Sequence, residues 1–162
     1  MTVSLNPISK DEKHILQNLY SLYLHDLSEF TEGLDISPDG SFEFDSFELI
    51  WKKEGLTPYF SKKDMTIVGF LLLLERPFLK EDYDYSINDI FILKKYRRKG
   101  AAISLLKGLF KQKKGSYFVV QLAKNTPAVI FWRKIFSELN IDFDEKKKIV
   151  DDEECLVQSF KI

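Results

Sequence analysis

The apolar positions of the chain follow a helical period in some stretches and form short continuous runs in others. A period of 3.6 residues over 9–30 predicts an amphipathic helix that Ser9 caps. The same period appears after Gly100 and after Asn125, where two further helices are expected. A shorter helix is predicted over 46–54.

The continuous apolar or β-branched runs are bounded by charged and turn residues, which is the pattern of buried strands. The predicted strands are 3–8, a hairpin over 57–76 that turns at 62–64, 84–95, 116–123, and two closing antiparallel strands around 141–143 and 154–162. This order of elements predicts an α/β or α+β fold with mixed strand pairing. The 162 residues are enough for one domain, 1–162, built around one core.

Composition places the chain among ordinary globular proteins, with 44% apolar and 30% charged residues. A single cysteine, Cys155, excludes an internal disulfide and suits a reducing compartment. The N-terminal residues have no signal-peptide pattern, and the longest apolar run, 67–74, is too short to cross a bilayer. A cytoplasmic location without membrane contact is therefore expected. His14 and His25 stand in no metal-spaced cluster, so no metal site is expected.

The charges are unevenly distributed, although the net charge is only −1. Residues 26–48 hold eight acidic side chains and no Lys or Arg, whereas residues 94–114 hold nine basic side chains and no Asp or Glu. Each block is either a solvated face or a binding surface, the first for a cation and the second for an anion. Nucleic-acid binding by the basic block is not expected, because few aromatic residues are interleaved with its charges.

The basic block contains an unusual arrangement at the start of a predicted helix. Residues 97–99 are Arg-Arg-Lys and directly precede Gly100, although a helix N-terminus already carries partial positive charge. An anion is therefore expected there. Gly100 and the two alanines after it let a ligand approach the backbone, whose free N–H groups form a phosphate cradle. This predicts a pyrophosphate site that is neither a Walker loop nor a dinucleotide fingerprint.

Two motifs carry a resemblance to a known family. The first, R/Q-x-x-G-x-G/A after a strand, stands here as Arg97, Arg98, Lys99, Gly100, Ala101 and Ala102. The second, Asn-x-x-Ala-x-x-Phe-aromatic on the next helix, stands here as Asn125, Ala128, Phe131 and Trp132. With this order of elements, the chain resembles the GNAT superfamily of acetyl-CoA-dependent N-acetyltransferases. The resemblance implies a mostly antiparallel sheet of about six to seven strands, splayed into a V and flanked by about four helices.

The resemblance also implies a place for acetyl-CoA as cosubstrate. The 97–102 loop would bind the pyrophosphate through its backbone, and the backbone of Phe91, Ile92 and Leu93 would pair with the pantetheine arm. Asn125 would hydrogen-bond the pantetheine, although it is also the expected N-cap of its helix. The Phe131 and Trp132 region would lie beside the thioester, although core packing explains both residues as well.

The catalytic groups are less well specified. Many family members carry tyrosine where this chain has Trp132, whose indole N–H cannot give up a proton near neutral pH. Three alternatives are open. Another acid, such as Tyr83 or Tyr85, protonates the leaving thiolate, the thiolate leaves unprotonated, or the protein does not catalyse the reaction. Asp89 is the candidate general base, acting directly or through water, with Asn88 positioning it. The alternative is that Asp89 pairs with a neighbouring cation or faces away from the cleft.

The resemblance implies that the first helices and the loop between them wall the acceptor side. Asp26 and Glu29, with Glu32 and Asp35, would make that wall attractive to a cationic small-molecule or peptide amine. The expected function is therefore acetyl transfer from acetyl-CoA to a primary amine by direct attack in a ternary complex. The alternative is a GNAT-fold acyl-CoA-binding sensor without turnover. The acyl-chain length and a homodimeric state stay open.

Overall fold

Seven strands and four α-helices make up the computed structural model, which describes residues 1–162. The strands are β1 (Ser4–Pro7), β2 (Leu56–Lys63), β3 (Thr66–Glu75), β4 (Tyr85–Ile92), β5 (Ser116–Leu122), β6 (Phe143–Val150) and β7 (Glu153–Lys161). The helices are α1 (Lys13–Ser28), α2 (Leu49–Lys52), α3 (Ala101–Gln112) and α4 (Thr126–Glu138). The mixed α/β fold expected from the sequence is confirmed.

The strands form one sheet in the order β1-β2-β3-β4-β5-β7-β6. Every neighbouring pair is antiparallel except β4 and β5, which α3 connects by a crossover and which are parallel. These two strands pair only at Tyr85 with Tyr117 and at Ser86 with Phe118. We call this paired end the apex, and the gap between the two strands beyond it the opening. The splayed sheet implied by the resemblance is therefore confirmed.

Both faces of the sheet are covered, which explains why β3 is apolar at nearly every position. Phe70 and Leu72 belong to the core under α1 and α2, whereas Leu71 and Leu73 belong to the core under α3 and α4. Helix α1 contributes Tyr20 to the first of these cores. Strand β3 thus lies between two packed layers.

A β-bulge interrupts β4 at Asn88. Leu72 of β3 pairs with Asp89, and the next residue of β3 pairs with Ile87, so that Asn88 is the extra residue. A bulge of this kind places two residues of one strand opposite one residue of its partner and turns a side chain that would otherwise alternate. Here it brings Asn88 Nδ2 to 2.9 Å from Asp89 Oδ2.

Three predicted elements differ from the structure in length. A 3₁₀ turn at Lys10–Glu12 precedes α1, with Ser9 and Glu12 forming a capping box at its start. The helix predicted over 46–54 is reduced to the four residues of α2. The strand predicted over 84–95 ends at Ile92, because residues 94–96 form another 3₁₀ turn.

The prediction of a closing strand around 141–143 is wrong, because the strand is β6, Phe143–Val150. Every residue of β6 is exposed, since it is the edge of the sheet and pairs only with β7. Its central run of three lysines therefore shows no apolar alternation from which a strand could be predicted. Charged side chains, lysine above all, are typical of edge strands because they prevent pairing with other chains.

Candidate functional site

The loop after β4 forms an anion cradle, residues 98–103, at the open end of the sheet. Arg98 has φ +60° and Gly100 has φ +84°, so the backbone turns sharply before α3 begins. None of the backbone N–H groups from residue 98 to residue 103 donates to an acceptor in the chain, and the first paired one is Ser104, which donates to the Gly100 carbonyl at 3.1 Å. Free N–H groups at a helix N-terminus are suited to phosphate oxygens.

The backbone of β4 has a second set of groups, which are directed into the opening and not toward β3. The Leu93 N–H donates to the Val68 carbonyl of β3 at 2.8 Å. Neighbouring residues of a strand direct their backbone groups to opposite sides. The backbone groups of Leu93 and Phe91 therefore point to β3, whereas those of Ile92 and Ile90 point into the opening. Of the predicted pantetheine residues 91–93, only Ile92 thus has its backbone groups directed to the opening. Ile90 shares this orientation, and the sequence analysis did not include it although a period of two would have paired it with Ile92.

Arg97 connects β4 to α1 and joins two residues that were expected to serve different ligands. Its Nε donates to the Ile92 carbonyl at 2.6 Å, and its Nη2 donates to Asp26 Oδ2 of α1 at 2.8 Å. The guanidinium also lies 5.4 Å from the centre of the Phe91 ring. The predicted cofactor residue Arg97 therefore forms an ion pair with the predicted acceptor residue Asp26.

Asn125 and the aromatic pair of α4 have structural contacts within the chain. Asn125 Oδ1 accepts the Ala128 N–H at 3.2 Å, so Asn125 is the N-cap of α4. Its amide Nδ2 donates to nothing in the chain and is free for another acceptor. Trp132 is buried in the core under α3 and α4, whereas Phe131 is half-buried with its ring centre 5.2 Å from that of Trp132.

Asp89 is a buried carboxylate with tyrosine and amide donors. Its side chain is 9% exposed, and Oδ2 accepts the Tyr20 hydroxyl at 2.7 Å as well as the Asn88 amide. Burial raises the pKa of Asp89, and the hydrogen bonds from Tyr20 and Asn88 oppose the rise. No Lys or Arg pairs with Asp89. The sequence analysis missed Tyr20, although a tyrosine on the apolar face of a helix is expected to need a hydroxyl partner.

The two tyrosines considered as general acids lie at the apex. The Tyr85 ring centre is 4.9 Å from that of Tyr117, in the first of the two residue pairs that join β4 and β5. The Tyr83 ring centre is 5.0 Å from that of Phe118 in the same region. Neither ring lies beside the cradle or Asn125, at the open end.

An acidic cavity of about 810 Å³ lies between the segment after α1 and the turn joining β6 to β7. Its carboxylates are Glu29, Glu32, Asp151 and Glu153, with Lys124 as the one cation in the lining. The structure thus brings Glu29 and Glu32 together, but Asp35 and Asp26 do not line this cavity. The two carboxylates from the β6–β7 turn were missed because β6 itself was misplaced.

The remaining candidate residues lie outside this site. No group of three or more His, Cys, Asp and Glu side chains is arranged to hold a metal ion. Cys155 is buried in β7, where burial raises the pKa of its thiol. None of the helices has the length and apolar character needed to cross a membrane.

Comparison with known proteins identifies the class of protein to which this fold belongs. The model of the acetyltransferase (GNAT) family matches residues 16–137 of the chain. The chain belongs to the GNAT family. No curated protein matches the chain in sequence.

Solved structures share the fold over nearly the whole chain. An acetyltransferase from Thermus thermophilus is 12% identical, with 100% of this chain and 98% of that chain covered and a TM-score of 0.70. The enzyme AAC(6')-Ib, solved with paromomycin and acetyl-CoA, is 12% identical, with coverages of 99% and 94% and a TM-score of 0.68. The CoA-dependent acyl-homoserine lactone synthase BjaI, solved with SAM and isopentyl-CoA, is 13% identical, with coverages of 99% and 83% and a TM-score of 0.60. At these identities the similarity establishes the fold.

Proposed function

We propose that the protein transfers an acetyl group from acetyl-CoA to a cationic primary amine by direct attack in a ternary complex. The observation that carries this proposal is the run of unpaired backbone N–H groups from residue 98 to residue 103, next to the unpaired edge of β4. Both fit CoA, since the cradle suits a pyrophosphate and the strand edge suits the amide groups of pantetheine.

Binding in this orientation requires Arg97 to move. Its guanidinium covers the Ile92 carbonyl, one of the backbone groups that would pair with the pantetheine. When Arg97 turns toward the pyrophosphate, it exchanges one anionic partner for another and uncovers both the strand and Asp26. The ion pair of Arg97 and Asp26 is about one-third exposed on each side, so breaking it costs only about 0–1 kcal/mol.

The reaction forms one bond and breaks another. Acetyl-CoA supplies an acyl group activated as a thioester. The neutral amine nitrogen attacks the carbonyl carbon, the new C–N bond replaces the C–S bond, and the sulfur leaves as a thiolate that takes a proton from water. The attacking nitrogen loses a proton, which Asp89 accepts through a water molecule, with Asn88 holding the carboxylate in place.

Burial makes the Asp89 carboxylate more basic than an exposed one. A carboxyl with an ordinary pKa is a weak base near neutral pH, whereas burial moves the pKa of Asp89 upward, toward the working range of a general base. The Ile90 N–H faces the opening and is suited to stabilise the negative charge on the carbonyl oxygen. One such donor accelerates acyl transfer by about 10²–10³-fold in known enzymes.

The acidic cavity indicates the acceptor. Glu29 and Glu32 face Asp151 and Glu153 across a space of about 810 Å³, so a polyamine, an aminoglycoside-like compound or a lysine side chain finds several carboxylates there. The structural relative solved with an aminoglycoside and acetyl-CoA supports an acceptor of this kind.

The test is acetylation of an amine panel in which spermidine is compared with glutamate. We expect spermidine to be acetylated and the double variant Glu29→Gln with Glu32→Gln to raise its KM at least tenfold. Glu54→Gln, an exposed carboxylate before β2, is the matched control and should leave KM unchanged. Faster acetylation of glutamate than of spermidine would contradict the cationic acceptor.

A second function is favoured by one observation, the buried Trp132 in place of the usual tyrosine. A chain that binds acetyl-CoA and acetylates no amine in the panel would be a sensor of acyl-CoA. The distinguishing variant is Trp132→Tyr, which supplies a hydroxyl at this position. Transfer gained by the variant and absent from the wild type would support the sensor.

A further inference from the structure

A second cavity lies at the apex of the splayed sheet and has no role in the function proposed above. Its volume is about 290 Å³. Strand β4 contributes Ser86, Ile87 and Asn88, and β5 contributes Phe118 and Val120. These residues lie at or directly beyond the last pair of the two strands, so the cavity begins where the opening begins.

The positions of the cradle and the cavity at opposite ends of β4 determine which way the acyl group of a bound thioester points. The cradle lies at the carboxyl end of β4 and the cavity lies toward its amino end. A pantetheine arm that enters from the cradle, pairs with Ile92 and brings its thioester carbonyl to the Ile90 N–H therefore directs its acyl group toward the cavity. From Ile90 to Ile87 the strand advances by roughly 10 Å, because each residue of a strand adds about 3.3 Å.

The lining is mixed, with apolar residues in the majority. Six of the ten residues around the cavity are hydrophobic, and Val120 among them is 42% exposed. The cavity's charged residues, Lys80 and Glu81, are exposed and so stand at its rim. The space is much larger than the single methyl of an acetyl group requires.

We propose that this cavity holds the tail of an acyl chain longer than acetyl, so that the preferred donors are short-chain acyl-CoAs from butanoyl to hexanoyl. This inference rests on the proposed function for the binding of CoA at the cradle, and it changes the donor named there from acetyl-CoA to longer acyl-CoAs. Each further methylene removed from water strengthens binding by about fourfold. Affinity therefore rises from acetyl to hexanoyl and falls for chains that outgrow the cavity.

The test measures binding of the wild-type protein to stable CoA thioethers by isothermal titration calorimetry, together with free CoA. We expect S-butyl-CoA and S-hexyl-CoA to bind at least tenfold more tightly than S-ethyl-CoA. S-dodecyl-CoA, which is too long for the cavity, should bind more weakly than S-hexyl-CoA.

A substitution that fills the cavity tests whether the preference for longer acyl chains depends on it. Val120→Phe adds volume at an exposed strand position where an aromatic residue is well tolerated, so we expect the fold to persist. The variant should bind S-ethyl-CoA as the wild type does and should lose the gain for S-hexyl-CoA. Ile149→Phe, on the exposed edge strand β6, is the matched control and should keep that gain.

The outcomes separate this inference from the proposed function. If free CoA does not bind, the proposed function fails first and the acyl site with it. Two other results overturn only the acyl site. Either free CoA binds and the length of the acyl chain has no effect on affinity, or Val120→Phe weakens the binding of S-ethyl-CoA as much as that of S-hexyl-CoA. A change in the KM of the amine without a change in chain-length preference assigns the cavity to the acceptor and also overturns the inference.

Discussion

The contact between Tyr20 and Asp89 gives the sharpest prediction about the interior of the site. Tyr20→Phe removes a hydroxyl that donates to Asp89 Oδ2 at 2.7 Å and keeps the buried ring. Hydrogen bonds to charged groups contribute about 1.5–3 kcal/mol, against about 0.5–1.5 kcal/mol for neutral ones. We therefore expect Tyr20→Phe to lower the free energy of unfolding at pH 7 by about 2 kcal/mol.

The pH dependence distinguishes this contact from simple packing. Because burial raises the pKa of Asp89 above its unfolded value of 3.8, the folded state loses stability as pH rises from that value through the folded pKa. Removing the Tyr20 hydroxyl raises the folded pKa further, which enlarges the loss at neutral pH. At lower pH a larger fraction of the carboxyl is protonated, and in that form the substitution removes only a neutral hydrogen bond. The destabilisation by Tyr20→Phe should therefore be larger at pH 7 than at pH 4, by about 1.4 kcal/mol for each unit of added pKa shift.

The assay is urea unfolding of wild type and variant at both pH values. Tyr117→Phe is the matched control, because that fully buried hydroxyl donates to a neutral acceptor, the Lys113 carbonyl, at 2.6 Å. Its effect should stay within about 0.5–1.5 kcal/mol and should not change between the two pH values. Equal destabilisation by Tyr20→Phe at pH 4 and pH 7 would refute the argument that Asp89 is ionised and held by this tyrosine.

Two further substitutions test other parts of the structure. Gly69→Ala places a Cβ against the Phe91 carbonyl of the neighbouring strand. We therefore expect thermal unfolding to show a destabilisation of about 3 kcal/mol or more. Near-normal stability would show that β3 and β4 are not so closely paired. Arg97→Met removes the guanidinium that covers the Ile92 carbonyl and pairs with Asp26. In calorimetry, the variant should bind free CoA, which carries the pyrophosphate, about tenfold more weakly than the wild type does. Its free energy of unfolding should change by less than about 1 kcal/mol. An unchanged affinity for CoA would contradict the movement of Arg97 toward the pyrophosphate.

The helices and inner strands could be predicted because their apolar positions repeat with a clear period. Strand β3 and helix α3 are both buried along at least one face, and burial is what imposes the pattern. Strand β6 is exposed at every residue, so nothing constrains its side chains to alternate and the sequence placed it wrongly. The splay of β4 from β5 came from the family resemblance, because no local pattern encodes where two distant strands stop pairing.

The candidate site was predictable where it is local in sequence. The cradle follows from residues 97–102 alone, since its turn, its glycine and its helix N-terminus are contiguous. The contacts of Arg97 with Asp26 and of Tyr20 with Asp89 join residues about seventy positions apart, and only the packing of α1 on the sheet brings them together. The bulge at Asn88 likewise depends on the register with β3, which a single strand does not reveal.

The central claim is that residues 98–103 bind CoA, and thermal unfolding with and without acetyl-CoA or CoA tests it directly. At a hundred times its dissociation constant a ligand adds about 2.7 kcal/mol, which corresponds to a rise in Tm of about 5–10 °C for a chain of this size. Gly100→Glu places a carboxylate in the cradle at φ +84°, whereas Gly100→Ala brings the same backbone strain without the charge and has room for its Cβ. We predict that CoA raises the Tm of the wild type and of Gly100→Ala and leaves that of Gly100→Glu unchanged. No rise in the wild type, or an equal rise in all three proteins, would contradict the account.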